Sequence, residues 1–217
     1  MKLFVDTADL NEIRQAVELG VISGVTTNPT LLAKQGAKDT ETVIREICDL
    51  VPHGPVSMEV VGPTAQGMIE EGRRYAKWAP NVMIKVPFCP EGTQAVSVFA
   101  KEGIQTNVTL VFSANQAILA AAAGATVISS FVGRLDDIGH DGMQIIEEVV
   151  SIIENYQYPS QVLAASIRHP LHVTQAALAG AHIATIPYKI IQLMYAHPMT
   201  EKGIAAFNAD WAKLTAS

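Results

Sequence analysis

The sequence predicts a single α/β domain over residues 1–217, folded as a (β/α)8 TIM barrel with an additional C-terminal helix over 198–217. Eight short, apolar, β-branched runs alternate with eight longer segments of helical period. No low-complexity segment and no Pro- or Ser-rich linker divides the chain. The chain has 217 residues, of which 49% are apolar, and one barrel of this kind commonly fills about 200–250 residues.

The strand-like runs and the helix-like segments follow one another along the whole chain. The strand-like runs are Leu3–Asp6, Gly24–Asn28, Val56–Val61, Val82–Val86, Gln105–Val111, Thr126–Val132, Val162–Ser166 and His182–Ile186. The helix-like segments lie near 9–19, 39–50, 64–78, 92–102, 113–123, 141–156, 170–179 and 188–196. This alternation favours parallel strands that are joined by helical crossovers.

Several helix boundaries carry their own signals. Asp9 is a candidate N-cap, and Glu12 three residues later suggests the acidic variant of a capping box. Ser113 precedes an Ala-rich helix in the same way. Three helices are expected to stop at a glycine, and these glycines are Gly103, Gly124 and Gly180.

The tail after Pro198 is additional to eight complete strand–helix units. Its apolar residues recur at helical spacing, and they are Ile204, Phe207, Trp211 and Leu214. This stripe packs either on its own barrel or on a neighbouring subunit, and the spacing does not distinguish the two.

A doubly wound open sheet is the main rival fold, and it commonly carries a Gly-rich turn after its first strand. Here the first strand continues Val5-Asp6-Thr7-Ala8 without a glycine. Neither G-x-G-x-x-G nor G-x-x-x-x-G-K-[ST] occurs in the chain, which argues against dinucleotide and P-loop sites.

Composition excludes further classes of function. The 15 Lys and Arg against 21 Asp and Glu give a net charge of −6, and aromatic residues make up 6% of the chain. We therefore expect no nucleic-acid partner. The longest weakly polar run, Ala117–Ile128, is shorter than the roughly 20 residues of a membrane span. The start of the chain does not resemble a signal peptide, and the two cysteines, Cys48 and Cys89, suit a reducing compartment, so we expect a cytoplasmic protein.

Polar residues recur at the C-terminal ends of the strand-like runs, where barrel enzymes carry their active sites. Because side chains alternate along a strand, residues two apart share a face, as do Asn107 and Thr109 on strand five and Ser129 and Phe131 on strand six. The other strand ends carry Asp6, Asn28, Glu59, Lys85 and Ser166, the last followed by Arg168.

Lys85 is the most informative of these residues because it lies within the apolar run Val82–Pro87. Burial favours the neutral amine, which is the nucleophile that forms a Schiff base with a carbonyl group. Nearby Asp6 and Glu59 would favour the ammonium instead, so Lys85 could also be an ion-pair partner or a lysine that snorkels to solvent. Lys189 is a second candidate, although a solvated residue at a helix start is its simpler interpretation.

Arg134, Ser166 and Arg168 are suited to bind a phosphate monoester, because a guanidinium group offers fork-shaped donors. The alternatives are an ion pair of Arg134 with Asp136 or Asp137, and a surface position for Arg168. His169 and His172 form an H-x-x-H pair, which is a weak signal for a metal site. Helix-start and core histidines are commoner, and we expect no metal.

These residues, in this order, resemble the transaldolase family over essentially the whole chain, in its small, fructose-6-phosphate aldolase-like subgroup. The motifs are specific in combination and are Phe4–Ala8, Gly24–Leu31, Ile84–Pro87, Asn107–Leu110 and Ser166–Arg168. The resemblance implies a (β/α)8 barrel without a cofactor, in which Lys85 forms a Schiff base. It implies transfer of a dihydroxyacetone unit from a ketose phosphate, such as sedoheptulose 7-phosphate or fructose 6-phosphate, to glyceraldehyde 3-phosphate or erythrose 4-phosphate, in the pentose phosphate pathway.

Roles for single residues follow from the same resemblance. Asp6 would be the general acid/base at the bond that breaks. Glu59 and Thr109 would hold the water that relays protons during imine formation. The dihydroxyacetone unit would be bound by Asn28, Asn107 and Ser129, and the phosphate by Arg134, Ser166 and Arg168.

Two positions separate the subgroups. Fructose-6-phosphate aldolases, which release free dihydroxyacetone, carry Gln in place of Glu59 and Tyr in place of Phe131, whereas this chain has the transaldolase-type pair at both. An aldolase of that kind and a barrel that binds sugar phosphates without turnover remain the alternative functions. The resemblance also implies a homo-oligomer, a pentamer or a decamer, in which the tail helix crosses to a neighbour.

Overall fold

A computed structural model describes residues 1–36 and 39–215, in which eight parallel strands close into a barrel in chain order. The strands are β1 Lys2–Asp6, β2 Val25–Thr26, β3 Val56–Glu59, β4 Val82–Pro87, β5 Thr106–Val111, β6 Val127–Phe131, β7 Gln161–Ala165 and β8 Ile183–Ile186. Strand β1 pairs with both β2 and β8, which closes the sheet. The predicted barrel is confirmed.

Helices follow each strand, and the long helices before the tail pack on the outside of the barrel. They are α1 Leu10–Glu18, α2 Pro29–Lys34, α3 Thr40–Leu50, α4 Ala65–Tyr75, α5 Pro90–Lys101, α6 Ala114–Ala122, α7 Val132–Asp136, α8 Gln144–Asn155, α9 Pro170–Leu178, α10 Tyr188–Tyr195 and α11 Pro198–Thr215. Each predicted helix is present, while residues 216 and 217 of the predicted tail lie outside the described residues.

Two helices, α2 and α7, were not predicted, and both shorten a predicted strand region. The predicted run Gly24–Asn28 contains strand only at β2, because the Asn28 side chain accepts a hydrogen bond from the Leu31 N–H and begins α2. The predicted run Thr126–Val132 ends at Phe131, where α7 starts at once. Helices of five or six residues are too short to show a clear apolar period.

The predicted helix caps are largely confirmed. Asp9 Oδ1 accepts hydrogen bonds from the N–H groups of Asn11 and Glu12 at 2.8 and 3.2 Å. The capping box is wrong in detail: the Glu12 carboxylate accepts from the Thr7 hydroxyl at 2.5 Å, and that hydroxyl accepts from the Asp9 N–H. Ser113 caps α6, and the predicted stop glycines, Gly103, Gly124 and Gly180, all adopt positive φ.

The core has two layers, one on each face of the sheet. The larger layer lies between the strands and the helices and includes Ile13, Ile47, Phe99 and Ile146. The smaller layer fills the inside of the barrel with Phe4, Met83, Val127, Leu163, Ala165 and Ile183. Because side chains alternate, the residues two positions after Phe4 and Met83 also point inward. The barrel therefore has an apolar floor below a ring of polar side chains.

The tail helix α11 does not bury its apolar stripe. Ile204, Phe207, Trp211 and Leu214 are 55%, 77%, 66% and 73% exposed, and no residue of α11 in its described range Pro198–Thr215 is buried. Packing on its own barrel, one of the two alternatives left by the sequence, is therefore wrong for these side chains.

Candidate active site

A cavity of about 390 Å³ opens at the C-terminal ends of the strands. It gathers most of the predicted site residues in one place. Its walls include Asp6, Asn28, Glu59, Lys85, Thr109, Ser129, Phe131, Arg134, Ser166 and Arg168. Asn107 is the exception, because it is fully buried and does not line the cavity.

Lys85 lies on β4 with only 6% of its surface exposed. Its strand register pairs it with Glu59 on β3, and its Nζ lies 3.2 Å from Glu59 Oε2. The ammonium also donates a hydrogen bond of 2.9 Å to the carbonyl oxygen of Thr27. The ion pair left open by the sequence is therefore present. Lys189, the second candidate, is exposed near the start of α10.

Asp6 ends β1 and faces Lys85 across the cavity floor. Its Oδ1 accepts a hydrogen bond of 2.8 Å from the Thr26 hydroxyl, which lies 2.5 Å from the hydroxyl of Thr185. Burial raises the pKa of Asp6, and the positive charge of Lys85 and the Thr26 hydrogen bond oppose that rise. A carboxylate with a raised pKa is a stronger base than an ordinary carboxylate, which suits it to general acid/base catalysis.

Hydroxyl groups of β5 and β6 complete this side of the cavity. Thr109 Oγ1 is buried and has no hydrogen-bond partner among the described residues. Ser129 Oγ donates to Asn107 Oδ1 at 2.6 Å, and Asn107 Nδ2 donates to Ser57 Oγ at 3.2 Å. Asn107 therefore holds Ser129 in place from behind the cavity wall, whereas the Thr109 hydroxyl is available to a water or a substrate.

Two non-glycine residues in the cavity wall adopt left-handed backbone conformations. Leu110 has φ +60° at an irregularity in the pairing of β5 with β6, and Ser166 has φ +61° immediately after β7. The predicted strand Val162–Ser166 therefore ends one residue early. Such conformations are unfavourable by about 1–3 kcal/mol each and concentrate at functional sites.

The candidate phosphate ligands lie on two neighbouring segments at one side of the cavity. Arg134 is on α7 and stacks its guanidinium carbon 4.9 Å from the centre of the Phe131 ring. Arg168 follows β7 and pairs with Asp137 at 2.8 Å. The alternative ion pair of Arg134 is wrong within the described chain, because Asp137 binds Arg168 and Asp136 binds His172 at 3.0 Å.

The two histidines of the H-x-x-H pair have a structural role at the start of α9. His169 caps α9 by accepting a hydrogen bond from the His172 N–H, and the two rings lie 3.7 Å apart. In the described ranges 1–36 and 39–215, no group of three His, Cys, Asp or Glu side chains is arranged to hold a metal ion.

No helix of the described chain is both long and apolar enough to span a membrane.

Comparison with known proteins assigns the chain to a family. The family model described as transaldolase/fructose-6-phosphate aldolase matches residues 3–217. The chain belongs to this family. A probable transaldolase of Dehalococcoides mccartyi is 54% identical over 97% of this chain and 98% of its own length. One of Thermoanaerobacter sp. is 56% identical over 98% of each chain. Membership of the transaldolase/fructose-6-phosphate aldolase family makes the chain an aldolase-type enzyme.

A solved structure supports the fold at low sequence identity. The thiamine phosphate pyrophosphorylase of Pyrococcus furiosus superposes with a TM-score of 0.61, covers 86% of this chain and 85% of its own, and is 12% identical. At this identity the likeness concerns the barrel and not the chemistry.

Some cavity residues were not predicted from the sequence. Thr26 and Thr185 hydrogen bond to each other at the cavity wall. Asp137, which does not line the cavity, pairs with Arg168. Thr185 lies two residues after the inward-facing Ile183, so the strand period could have identified it. The partner of Arg168 could not be identified in this way, because it comes from the separate α7 segment.

Proposed function

We propose that this enzyme is a transaldolase that transfers a dihydroxyacetone unit between sugar phosphates through a Schiff base on Lys85. The donor is a ketose phosphate, sedoheptulose 7-phosphate or fructose 6-phosphate, and the acceptor is glyceraldehyde 3-phosphate or erythrose 4-phosphate. The observation that carries the proposal is a buried lysine between two carboxyl groups in a cavity that also presents two arginines.

Imine formation uses the Lys85–Glu59 pair. Glu59 accepts a proton from the ammonium, and the neutral amine attacks the ketone carbon of the donor. The carbonyl oxygen then leaves as water, for which it needs protons. In this proposal Glu59 and Thr109 hold that water and relay those protons, which the contact of Glu59 with Lys85 and the unpartnered hydroxyl of Thr109 support.

Cleavage uses Asp6. Its carboxylate removes the proton from the hydroxyl adjacent to the bond that breaks, and the electron pair of the C–C bond moves to the protonated imine. An aldehyde leaves and the enamine remains on Lys85. The acceptor aldehyde then forms a new C–C bond by the reverse steps, with Asp6 as the acid, and hydrolysis of the imine releases the product. The raised pKa of Asp6 suits both roles.

The remaining cavity residues bind the substrate. Asn28 and Ser129 present hydrogen-bonding groups to the dihydroxyacetone unit, and Asn107 acts through Ser129. Arg134, Ser166 and Arg168 bind the phosphate, because two guanidinium groups and a hydroxyl supply charged and directional donors. The chemistry requires no cofactor.

The decisive experiment is reductive trapping. Incubation with fructose 6-phosphate and borohydride should add the mass of the reduced sugar to Lys85. Lys85→Met should remain folded without gaining this mass, and Lys189→Met, which changes an exposed lysine, should gain it as the wild type does. If Lys85 gained no mass, the proposed Schiff base would be wrong. The alternative would then be a barrel that binds sugar phosphates without turnover.

A paired assay separates transfer from cleavage. Fructose 6-phosphate is supplied with and without erythrose 4-phosphate, and free dihydroxyacetone and the transfer product are both measured. Glu59 and Phe131 support transfer that depends on the acceptor. Release of dihydroxyacetone at the same rate without an acceptor would make the enzyme a fructose-6-phosphate aldolase.

We further propose a cytoplasmic homo-oligomer, a pentamer or a decamer, that acts in the non-oxidative pentose phosphate pathway. The exposed apolar stripe of α11 supports association of subunits. The free cysteines Cys48 and Cys89 suit a reducing compartment.

A further inference from the structure

Two segments carry the arginines of the candidate phosphate site, and we call them the α7 arm and the β7 arm. The α7 arm, Phe131–Asp137, presents Arg134, and the β7 arm, Ser166–His169, presents Arg168. Both arginine side chains are exposed, and their contacts lie within the arms themselves, Arg134 on Phe131 and Arg168 on Asp137, so the distance between the two guanidinium groups follows the positions of the arms. A phosphate that is held by both guanidinium groups needs that distance to be set by the backbones of the arms.

His172 on α9 contacts both arms although it does not line the cavity. Its Nδ1 accepts a hydrogen bond of 3.3 Å from the backbone N–H of Arg168. Its Nε2 lies 3.0 Å from the carboxylate of Asp136 at the end of α7. A single imidazole ring, 6% exposed, thus bonds to the β7 arm with one nitrogen and to the α7 arm with the other.

Both hydrogen bonds require a neutral ring with its proton on Nε2, because Nδ1 must accept and Nε2 must donate. Burial lowers the pKa of His172, and the charges of His169 and Arg168 lower it further, whereas Asp136 opposes them. The neutral form is therefore the one that this environment favours, and it is the form that can bond to both arms.

Other contacts show that the two arms approach closely. The Gly133 N–H donates a hydrogen bond of 3.1 Å to the carbonyl oxygen of Ser166. A Cβ atom at Gly133 would overlap this oxygen and lie 2.6 Å from Cγ of Arg168. The second oxygen of Asp136 accepts a hydrogen bond from the Gly142 N–H at 2.8 Å, so the carboxylate that meets His172 is itself fixed.

We propose that His172 is a positioning residue for phosphate recognition, which sets the spacing of Arg134 and Arg168 through its bonds to Asp136 and to the Arg168 backbone. The inference rests on the proposed function, because it takes the two arginines as phosphate ligands. His172 does not touch the substrate, and its effect is confined to groups that bind the phosphate.

The test measures phosphate binding and Lys85 chemistry separately. Binding of inorganic phosphate is measured by calorimetry, without turnover, and reductive trapping at Lys85 uses dihydroxyacetone, which has no phosphate. Loss of the two hydrogen bonds in His172→Ala should weaken phosphate binding about tenfold and raise the KM of fructose 6-phosphate similarly, with kcat and trapping by dihydroxyacetone unchanged.

Two conservative variants each keep one of the bonds. Asn can supply an acceptor near the position of Nδ1, and Gln can supply a donor near that of Nε2. His172→Asn and His172→Gln should therefore both fold and show phosphate affinities between those of wild type and His172→Ala. If His172→Ala does not fold, these two variants are compared with the wild type, and each should bind phosphate more weakly.

His182 provides a matched control. Its Nδ1 also accepts a backbone N–H, that of Val162 at 3.1 Å, but at the opposite end of the barrel. His182→Ala should lower the melting temperature and leave phosphate affinity unchanged. Wild-type phosphate affinity in folded His172 variants, or equal losses in phosphate binding and in trapping by dihydroxyacetone, would overturn the positioning role. Failure of wild type to be trapped at Lys85 would instead contradict the proposed function.

Discussion

Asp6 combines its proposed acid/base role with an effect on stability that depends on pH. Burial raises its pKa above the ordinary value of 3.8, so the folded protein binds this proton more tightly than the unfolded chain does. Between 3.8 and the raised pKa, the folded state therefore carries more protons at this site. The contribution of Asp6 to the free energy of unfolding is favourable at low pH and is lost as the pH rises through this window.

Substitution of Asp6 by Asn tests this sign. We expect the stability of Asp6→Asn relative to wild type to increase as the pH is raised from about 4 to 7, while transfer activity falls because the acid/base is missing. Urea denaturation at a series of pH values measures the difference. Glu154→Gln, which changes an exposed carboxylate on α8, is the matched control for the loss of one carboxylate. A difference for Asp6→Asn that falls with rising pH would contradict the direction of the pKa shift.

In the proposed mechanism, Phe131 influences the choice between transfer and cleavage. Its ring lines the cavity, packs on Phe112 with ring centres 5.4 Å apart and supports the Arg134 guanidinium. Release of dihydroxyacetone requires water to protonate the enamine and hydrolyse the imine, and a phenyl ring supplies no hydroxyl to assist that water. General acid–base assistance contributes roughly 10²–10⁴-fold when it is well placed.

We therefore expect Phe131→Tyr to raise release of free dihydroxyacetone relative to transfer, and Glu59→Gln to shift the ratio in the same direction by altering the proton relay. Both products are measured with fructose 6-phosphate and erythrose 4-phosphate. Phe112→Tyr adds the same hydroxyl to a ring that does not line the cavity and should leave the ratio unchanged. If folded Phe131→Tyr released and transferred dihydroxyacetone in the wild-type ratio, Phe131 would serve only to pack the barrel. The new hydroxyl would then be only an unsatisfied buried group.

Helix α7 and the turn after β7 can approach each other closely because residue 133 is a glycine, which has no side chain. Ala at that position would overlap the Ser166 carbonyl and displace one of the two arms. We expect Gly133→Ala to lower the free energy of unfolding by about 1–3 kcal/mol and to raise the KM of phosphorylated substrates. Chemical denaturation and steady-state kinetics measure the two effects.

The matched substitution is Gly203→Ala on α11, where a Cβ meets no atom within 4 Å. Since Ala is a better helix former than Gly, this variant should be neutral or stabilising by up to about 1 kcal/mol, with unchanged KM. If Gly133→Ala also left the free energy of unfolding and the KM unchanged, the close approach of the two arms would not contribute to stability or to substrate binding.

The strands and the long helices were predictable because their apolar periods of 2 and 3.6 reflect burial on a sheet and on a helix face. The same period placed Asn107 and Thr109 on one face of β5, and Lys85 was identified as a charged residue within the apolar run Val82–Pro87. The short helices α2 and α7 were missed because they contain too few residues to show a period. The left-handed conformation of Ser166 and the pairing of Arg168 with Asp137 depend on tertiary contacts that no local pattern encodes.

The barrel divides the molecule into an apolar inner floor and a polar mouth, and this division explains how Lys85 can be both buried and accessible. The floor of Phe4, Met83, Leu163 and Ile183 excludes water from below, while the cavity opens above. Desolvation acts on the charged groups at this boundary. In the described chain, every residue that lines the cavity comes from the barrel and none comes from α11.

The exposed stripe of α11 is the feature of the whole molecule that a single barrel does not explain. Large apolar side chains of this kind each stabilise a contact by about 1.5–3 kcal/mol when they become fully buried. In the described chain the stripe of Ile204, Phe207, Trp211 and Leu214 lies open to solvent. Association of subunits through α11 would bury it.

Deletion of residues 199–217 should therefore lower the oligomeric mass measured by light scattering, and the double variant Phe207→Glu with Trp211→Glu should do the same, because two charges would enter the apolar contact. Ala209→Glu adds a charge on the opposite face of the same helix and should keep the wild-type mass. Reductive trapping at Lys85 should persist in the dissociated protein, since every cavity residue comes from one barrel. A mass that stays unchanged in both the deletion and the double variant would exclude α11 from the subunit interface.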